Sequence, residues 1–278
     1  MLIYILVTGV QAGPLRVLSA NPRYFTDASG KAIYLAGFHN TNFQTYYISD
    51  GSPPWDYNKY LNLLRQNNNN YIRLWIWEHA GWSPLPYNRP GPGTTGDGQR
   101  KFDLNSLNQS FFDQLRSHVI AAGNRGIYVS IMLFGGWSVN SSFYSAANDV
   151  WEAHPFNAAN NINGINGDLN GNGDGEETHT LANTAVTAIQ DAYVRKVIDT
   201  VNDLDNVLFE KSNESRSSSR DWQYHMVNLI HSHEAGKAKQ HAVGVTASFD
   251  GFSGGSGDNG WLFASPAEWI SPAIGWRR

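Results

Sequence analysis

The stretch Asn206–Ser215, NVLFEKSNES, drives an apolar run, Val207-Leu208-Phe209, into Glu210 and then, past Lys211 and Ser212, into Asn213-Glu214. A strand that reads as buried on both faces should not carry acids, because an unpaired carboxylate in an apolar interior is strongly disfavoured. Either the acids have partners or they do chemistry. Helical spacing resumes over Trp222–Glu234 and stops at Gly236, so the unit is a buried strand, a polar corner and a helix.

The same unit recurs on both sides. Ala32–Phe38 (AIYLAGF) is an apolar run followed by His39-Asn40-Thr41-Asn42. Asp56–Gln66 has helical spacing, with Tyr57, Tyr60, Leu61 and Leu64 on one face. Tyr71–Trp77 (YIRLWIW) ends in Glu78-His79, and Ile127–Phe134 (IYVSIMLF) ends in Gly135-Gly136-Trp137, after a helix over Phe111–Ala122. A long helix is expected over Leu181–Leu204, and a shorter strand over Ala242–Thr246. Tyr24–Asp27 and Gly30 read as a hairpin whose turn is Asp-Ala-Ser-Gly.

Apolar strands alternating with amphipathic helices predict a parallel sheet covered by helices. No Gly-x-Gly-x-x-Gly follows the first strand, which disfavours a dinucleotide-binding doubly wound sheet. Polar and aromatic residues gather after the strand ends, where barrel enzymes keep their chemistry. The expected fold is therefore α/β, a (β/α)₈ TIM-type barrel. Two long loops, Ala80–Asp103 and Gly135–Thr180, fall on the same face and read as cleft walls.

Composition narrows the function. The 278 residues are 41% hydrophobic, enough for a sizeable core. A net charge of −4 with scattered Lys and Arg provides no case for nucleic acid or an anionic membrane surface. The absence of cysteine excludes disulfides and thiolate chemistry. Residues 1–13 read as a weak signal peptide or an N-terminal extension: MLIYILVTGVQAG is apolar, ends in the small-x-small Val10-Gln11-Ala12, and lacks a basic start. Export is the expectation, with residues 14–278 forming a single catalytic barrel domain.

The chemistry centres on Glu214. A protonated carboxyl at a strand end can donate to a glycosidic oxygen while Asn213 binds a sugar hydroxyl; the plainer alternative is a helix-entry glutamate. Arg73, the lone charge in YIRLWIW, is the best partner for Glu210, either closing an internal ion pair or holding a catalytic carboxylate in place. His39, Asn40, Glu78 and Trp137 are candidate substrate-binding residues, Trp137 as a stacking platform, whereas Trp75 and Trp77 read as core. Asp168, Asn170, Asn172 and Asp174 place oxygen donors at alternate positions like a calcium loop, with His179 where an EF-hand has its bidentate glutamate. The alternative is a flexible Asn/Gly/Asp loop, and any calcium there is structural. His231 and His233, two apart on a helix, point to different faces and make no metal pair.

RYFTDASGKAIYLAGFHN, NYIRLWIWEH, HPFNAANNINGINGDLNGNGDG and NVLFEKSNES followed by WQYHMVNLIHSHEAGK together resemble the cellulase-like clan A glycoside hydrolases, closest to bacterial members, over about Arg23 to Trp269. The resemblance implies a retaining hydrolase of β-linked glycans, with Asn213-Glu214 as the clan's asparagine and acid/base glutamate and Arg73 as its second-strand arginine. It implies an oligo- or polysaccharide substrate and no required cofactor. Lys211 departs from the apolar residue usual there. The clan's nucleophile lies on a seventh strand, whereas this chain is expected to end around the sixth. It is then a fragment, is completed by a partner chain, or uses another acid: Glu78, Asp250, Asp258 or Glu268. The rival functions are a non-catalytic carbohydrate-binding barrel and a doubly wound protein with an unrelated small ligand.

Overall fold

The computed structural model describes residues 13–37, 56–75, 85–139, 150–248 and 259–272. Its centre is a five-stranded, wholly parallel sheet in the order β4 (Tyr71–Trp75), β7 (Tyr128–Gly135), β8 (Val207–Asn213), β9 (Val243–Thr246) and β10 (Trp269–Ser271). Helices α1 (Tyr57–Gln66), α2 (Gln109–Gly123), α3 (Thr184–Val201) and α4 (Arg220–Glu234) connect or follow these strands, and the short α5 (Gly260–Phe263) precedes β10. This is successive β/α units of a barrel, with no closed barrel among the described residues.

The expected first barrel strand, Ala32–Phe38, is divided. Its start is β3 (Ala32–Ile33) of a small antiparallel sheet with β1 (Arg16–Val17) and β2 (Phe25–Thr26). Among its described residues, Gly37 alone forms a ladder bridge to the main sheet, parallel to Tyr71. A Cβ at Gly37 would lie 1.9 Å from the Tyr71 carbonyl oxygen, so only glycine permits that approach. Asn70 joins the two parts: its Nδ2 donates to Tyr34 O at 3.0 Å and its Oδ1 accepts from Ala36 N at 2.9 Å. Between β2 and β3 the expected turn forms, with Ser29 N donating to Asp27 Oδ1 at 2.8 Å and Gly30 at φ +72°.

Local signals explain the helix boundaries. Asp56 caps α1 by accepting from Lys59 N at 2.9 Å. Asn183 caps α3, accepting from Val186 N at 3.3 Å, so α3 begins three residues later than hydrophobic spacing indicates. The helices bury one stripe each on the outside of the sheet: Leu61 and Leu64, Leu115 and Val119, Val194 and Val197, Met226 and Ile230 pack with Ile72, Ile131, Phe209 and Val245. Each such side chain contributes roughly 1.5–3 kcal/mol of transfer free energy, which fixes which face of each strand points out.

The described parts of the long loops carry regular pairing and hydrogen bonds. The first contributes β5 (Tyr87–Asn88), which pairs antiparallel with β6 (Asp103–Leu107). The second is held by asparagines: Asn161 Nδ2 donates to the carbonyls of Pro155, Asn157 and Ile165, and Asn160 Nδ2 to those of Glu152 and His154. Among the described residues no helix is long and apolar enough to cross a membrane.

Candidate active site

Strand alternation makes the site. Along β8, Val207 and Phe209 join the outer core, so Leu208 and Glu210 point the other way, to the opposite face of the sheet. There Glu210 meets Arg73 from β4, two strands away across β7. The pair is two-pronged: Arg73 Nε donates to Oε2 at 2.8 Å and Nη2 to Oε1 at 2.5 Å. Thr246 of β9 donates to Oε1 at 2.7 Å and Ser130 of β7 to Oε2 at 3.4 Å. Glu210 is fully buried, and its carboxylate is thus satisfied from three neighbouring strands. Burial is the largest single influence on Arg73 and lowers its pKa, but the charge and hydrogen bonds of Glu210, with smaller help from Tyr71 and Glu214, together raise the value above the ordinary one. Burial, with the charge of Glu210 next in weight, also pushes the Tyr71 phenol well above its usual range. The partner expected for Glu210 is the one found.

Asn213 ends β8, and Glu214 turns the chain. Its φ is +56°, a left-handed conformation that a non-glycine residue adopts rarely and at some cost. The neighbouring backbone enforces it. Gly136, just past β7, lies so near that a Cβ there would fall 2.3 Å from Ser215 N and 2.5 Å from the Glu214 carbonyl carbon. Ser215 hydrogen-bonds Ser212 and sits 3.5 Å from Nδ1 of His179. The buried His179 ring stacks on Trp222 of α4 at 4.5 Å between centroids. Arg216 Nε meets Glu176 Oε1 at 3.0 Å. The turn carrying Glu214 is therefore gripped by the long loop, through Glu176 and His179, as well as by β7.

Asn213 is buried, and its Nδ2 has no hydrogen-bond partner among the described residues. A buried amide left without an acceptor costs on the order of 1–3 kcal/mol. An arriving hydroxyl oxygen would relieve that cost.

His39, Asn40 and Glu78 lie outside the described residues, as do His79, Trp77, Trp82, Asp250, Asp258 and the 1–12 segment. Trp137 is in a short 3-10 turn, Gly136–Val139, packed with Trp75, Met132 and Val150 and 7% exposed. In the Asp168 run, both carboxylate oxygens of Asp168 and the side-chain oxygens of Asn170 and Asn172 accept from backbone N–H groups of residues 171–174. Among the described residues no group of three or more His, Asp or Glu is arranged to hold a metal ion. Glu268 precedes β10, at the sheet end opposite Glu214, where Val243 N and His231 hold it. His233 faces Asp199 instead, so the two histidines diverge as their spacing predicts.

Two features escaped the sequence reading. His179 was visible only as the last position of the calcium-like run, and nothing local placed it against Ser215. Gly136 looked like one half of a loop Gly-Gly pair, and its role depends on how close β8 runs beside β7.

The sequence matches no protein-family model and no curated protein. Solved structures do match. A family 5 mannosidase from Rhizomucor miehei superposes with TM-score 0.52 at 11% identity, over 87% of this chain and 56% of that one. Endo-glycoceramidase II from Rhodococcus sp. gives 0.51 at 15%, over 92% and 57%. A family 5 glycoside hydrolase from Bacteroides vulgatus gives 0.50 at 13%, over 86% and 40%. The chain has the family 5 glycoside hydrolase fold. It spans between two fifths and three fifths of the length of these structures. In that TIM-barrel fold β4, β7, β8, β9 and β10 are neighbouring staves, and Glu214 stands at the C-terminal rim of the central one.

Proposed function

We propose that the protein is an exported glycosidase that hydrolyses O-glycosyl bonds of β-linked glycans with retention, Glu214 serving as general acid/base. The observation that carries this reading is the corner itself: a glutamate held at φ +56° on the rim of the central strand, beside a buried asparagine amide that has no acceptor among the described residues.

In the first step Glu214, protonated, gives its proton to the glycosidic oxygen as the C1–O bond breaks. Asn213 donates to a sugar hydroxyl and fixes the ring. A second carboxylate forms the glycosyl–enzyme bond. Glu214, now ionised, takes a proton from water, which attacks C1 and releases the sugar. Arg73 acts one layer below, pairing with Glu210 and keeping the floor of the site rigid. No step draws on a cofactor. Calcium at Asp168–Asp174 belongs to this proposal only as a brace for the loop that grips the Glu214 turn.

Retention requires the second carboxylate about 5–5.5 Å from the first. Glu210 is committed to Arg73 and Thr246, and Glu268 sits at the wrong end of the sheet. Those placements favour one rival, a carbohydrate-binding barrel that holds sugar without cutting it. Reducing-sugar release from a set of soluble β-glucans, with binding to the same glycans measured in parallel, separates the two. Release supports the enzyme; binding with no release supports the binder.

A further inference from the structure

Lys211 is fully buried on the outer face of β8, the face that carries Val207 and Phe209. An apolar side chain would fill that position at no electrostatic cost, so a lysine there needs a reason. Its Nζ donates to Gln223 Oε1 of α4 at 2.7 Å. Gln223 Nε2 donates to Ser219 Oγ at 2.8 Å, and Ser219 Oγ donates to the carbonyl of Arg216 at 2.6 Å. The chain of hydrogen bonds leaves the strand three residues before Glu214 and returns to the backbone two residues after it.

We propose that Lys211 is a positioning residue for Glu214, locking the strained turn through Gln223 and Ser219. The inference rests on the reading of Glu214 as the acid/base. The link spans the whole corner, whereas the Ser212–Ser215 contact ties only its inner side. Severing it frees the N-terminal end of α4 from β8 and lets Glu214 relax away from its left-handed backbone.

Burial brings the Lys211 amine down to about 7, against the weaker pull of Glu210, whose charge favours the ammonium. From α4 the amine meets only the uncharged Gln223; at the turn it holds stand His179, against Ser215, and Glu176, paired with Arg216. Near neutrality the lock thus passes between an ammonium, which must donate, and an amine.

The test uses the full chain, wild type beside Lys211→Met and Gln223→Met, with the backbone amide signals of Glu214 and Ser215 followed by NMR across neutral pH. Turnover of an aryl β-glycoside is measured on the same samples. The expected result is a wild-type amide transition with a midpoint near 7 that is absent from Lys211→Met. In both variants kcat is expected to fall about tenfold or more, the scale of a small misplacement of a catalytic group, with KM nearly unchanged. A transition that survives in Lys211→Met belongs to His179 or another group and overturns the proposal. So does an unchanged kcat in the variants. If Lys211→Met does not fold, displaced Glu214 and Ser215 signals with a lowered kcat in Gln223→Met support the lock, and wild-type positions overturn it. A wild type that cuts no glycoside refutes the acid/base reading, while the amide signals still decide whether Lys211 holds the turn.

Discussion

Gly136 lies directly beneath the peptide that follows Glu214, with room for no side-chain atom between them. Two adjacent parallel strands end together, Gly135 in register with Asn213, and the chains leaving them cross in contact. The left-handed backbone of Glu214 and the missing Cβ of residue 136 are two sides of one packing constraint.

Gly136→Ala is therefore expected to harm the site more than its single methyl suggests. The obstructing atoms are backbone, which cannot swing aside, so the turn must shift. Thermal or urea unfolding should show a loss of about 1–3 kcal/mol, and glycosidase activity should fall more steeply than stability, because the displaced residue is the proposed acid/base.

Arg73→Met leaves the Glu210 carboxylate buried with, among the described residues, only Thr246 and Ser130 as donors. Removing one member of a buried ion pair costs about 3–5 kcal/mol; the partial exposure of Arg73 places the expectation at the lower end. Replacing both residues with apolar ones should recover much of that loss in urea unfolding. A single mutant as stable as wild type would contradict the arrangement.

Lys211 carries a pH signature with a definite sign. Its folded pKa, about 7, lies below the unfolded 10.5, so between those values the unfolded chain binds more protons. Wild-type stability should rise with pH across this window, by about 1.4 kcal/mol per unit for this group alone, and the penalty is complete below pH 7. Lys211→Met should be more stable than wild type near pH 6, with the advantage shrinking toward pH 10. Unfolding midpoints of the two proteins at a series of pH values test this, and a constant difference would count against it.

If calcium braces the Asp168–Asp174 loop, millimolar calcium should raise the unfolding temperature of wild type, by linkage to the native state. Asp168→Ala should abolish the increment. An identical melt with calcium and with chelator removes calcium from the account.

Much of this architecture is legible in sequence because its signals are local. Asp56 announces α1, the Asp27–Gly30 turn announces its hairpin, and the apolar run of β8 followed by Asn213-Glu214 locates the rim of the sheet. Arg73 could be matched to Glu210 because it was the lone charge in its apolar strand, while Lys211, beside Glu210, falls on the opposite face. What could not be read depends on contacts between distant segments. Ala32–Phe38 looked like one strand because its hydrophobicity is continuous, but Ala32–Ile33 pair with β2 while Gly37 bridges to Tyr71 of the main sheet. His179 reaches Ser215 through a loop whose shape is set by asparagine-to-carbonyl hydrogen bonds, which leave no periodic mark. Lys211 looked like a departure from pattern; its partner Gln223 lies a helix turn into α4, beyond any spacing rule.

The most direct test of the central claim is turnover of a panel of aryl β-glycosides by wild type and Glu214→Gln, measured side by side. The account predicts activity in wild type on at least one member and a fall of about 10²–10⁴-fold in the variant, the usual contribution of a positioned acid/base. Equal rates in the two proteins would contradict it.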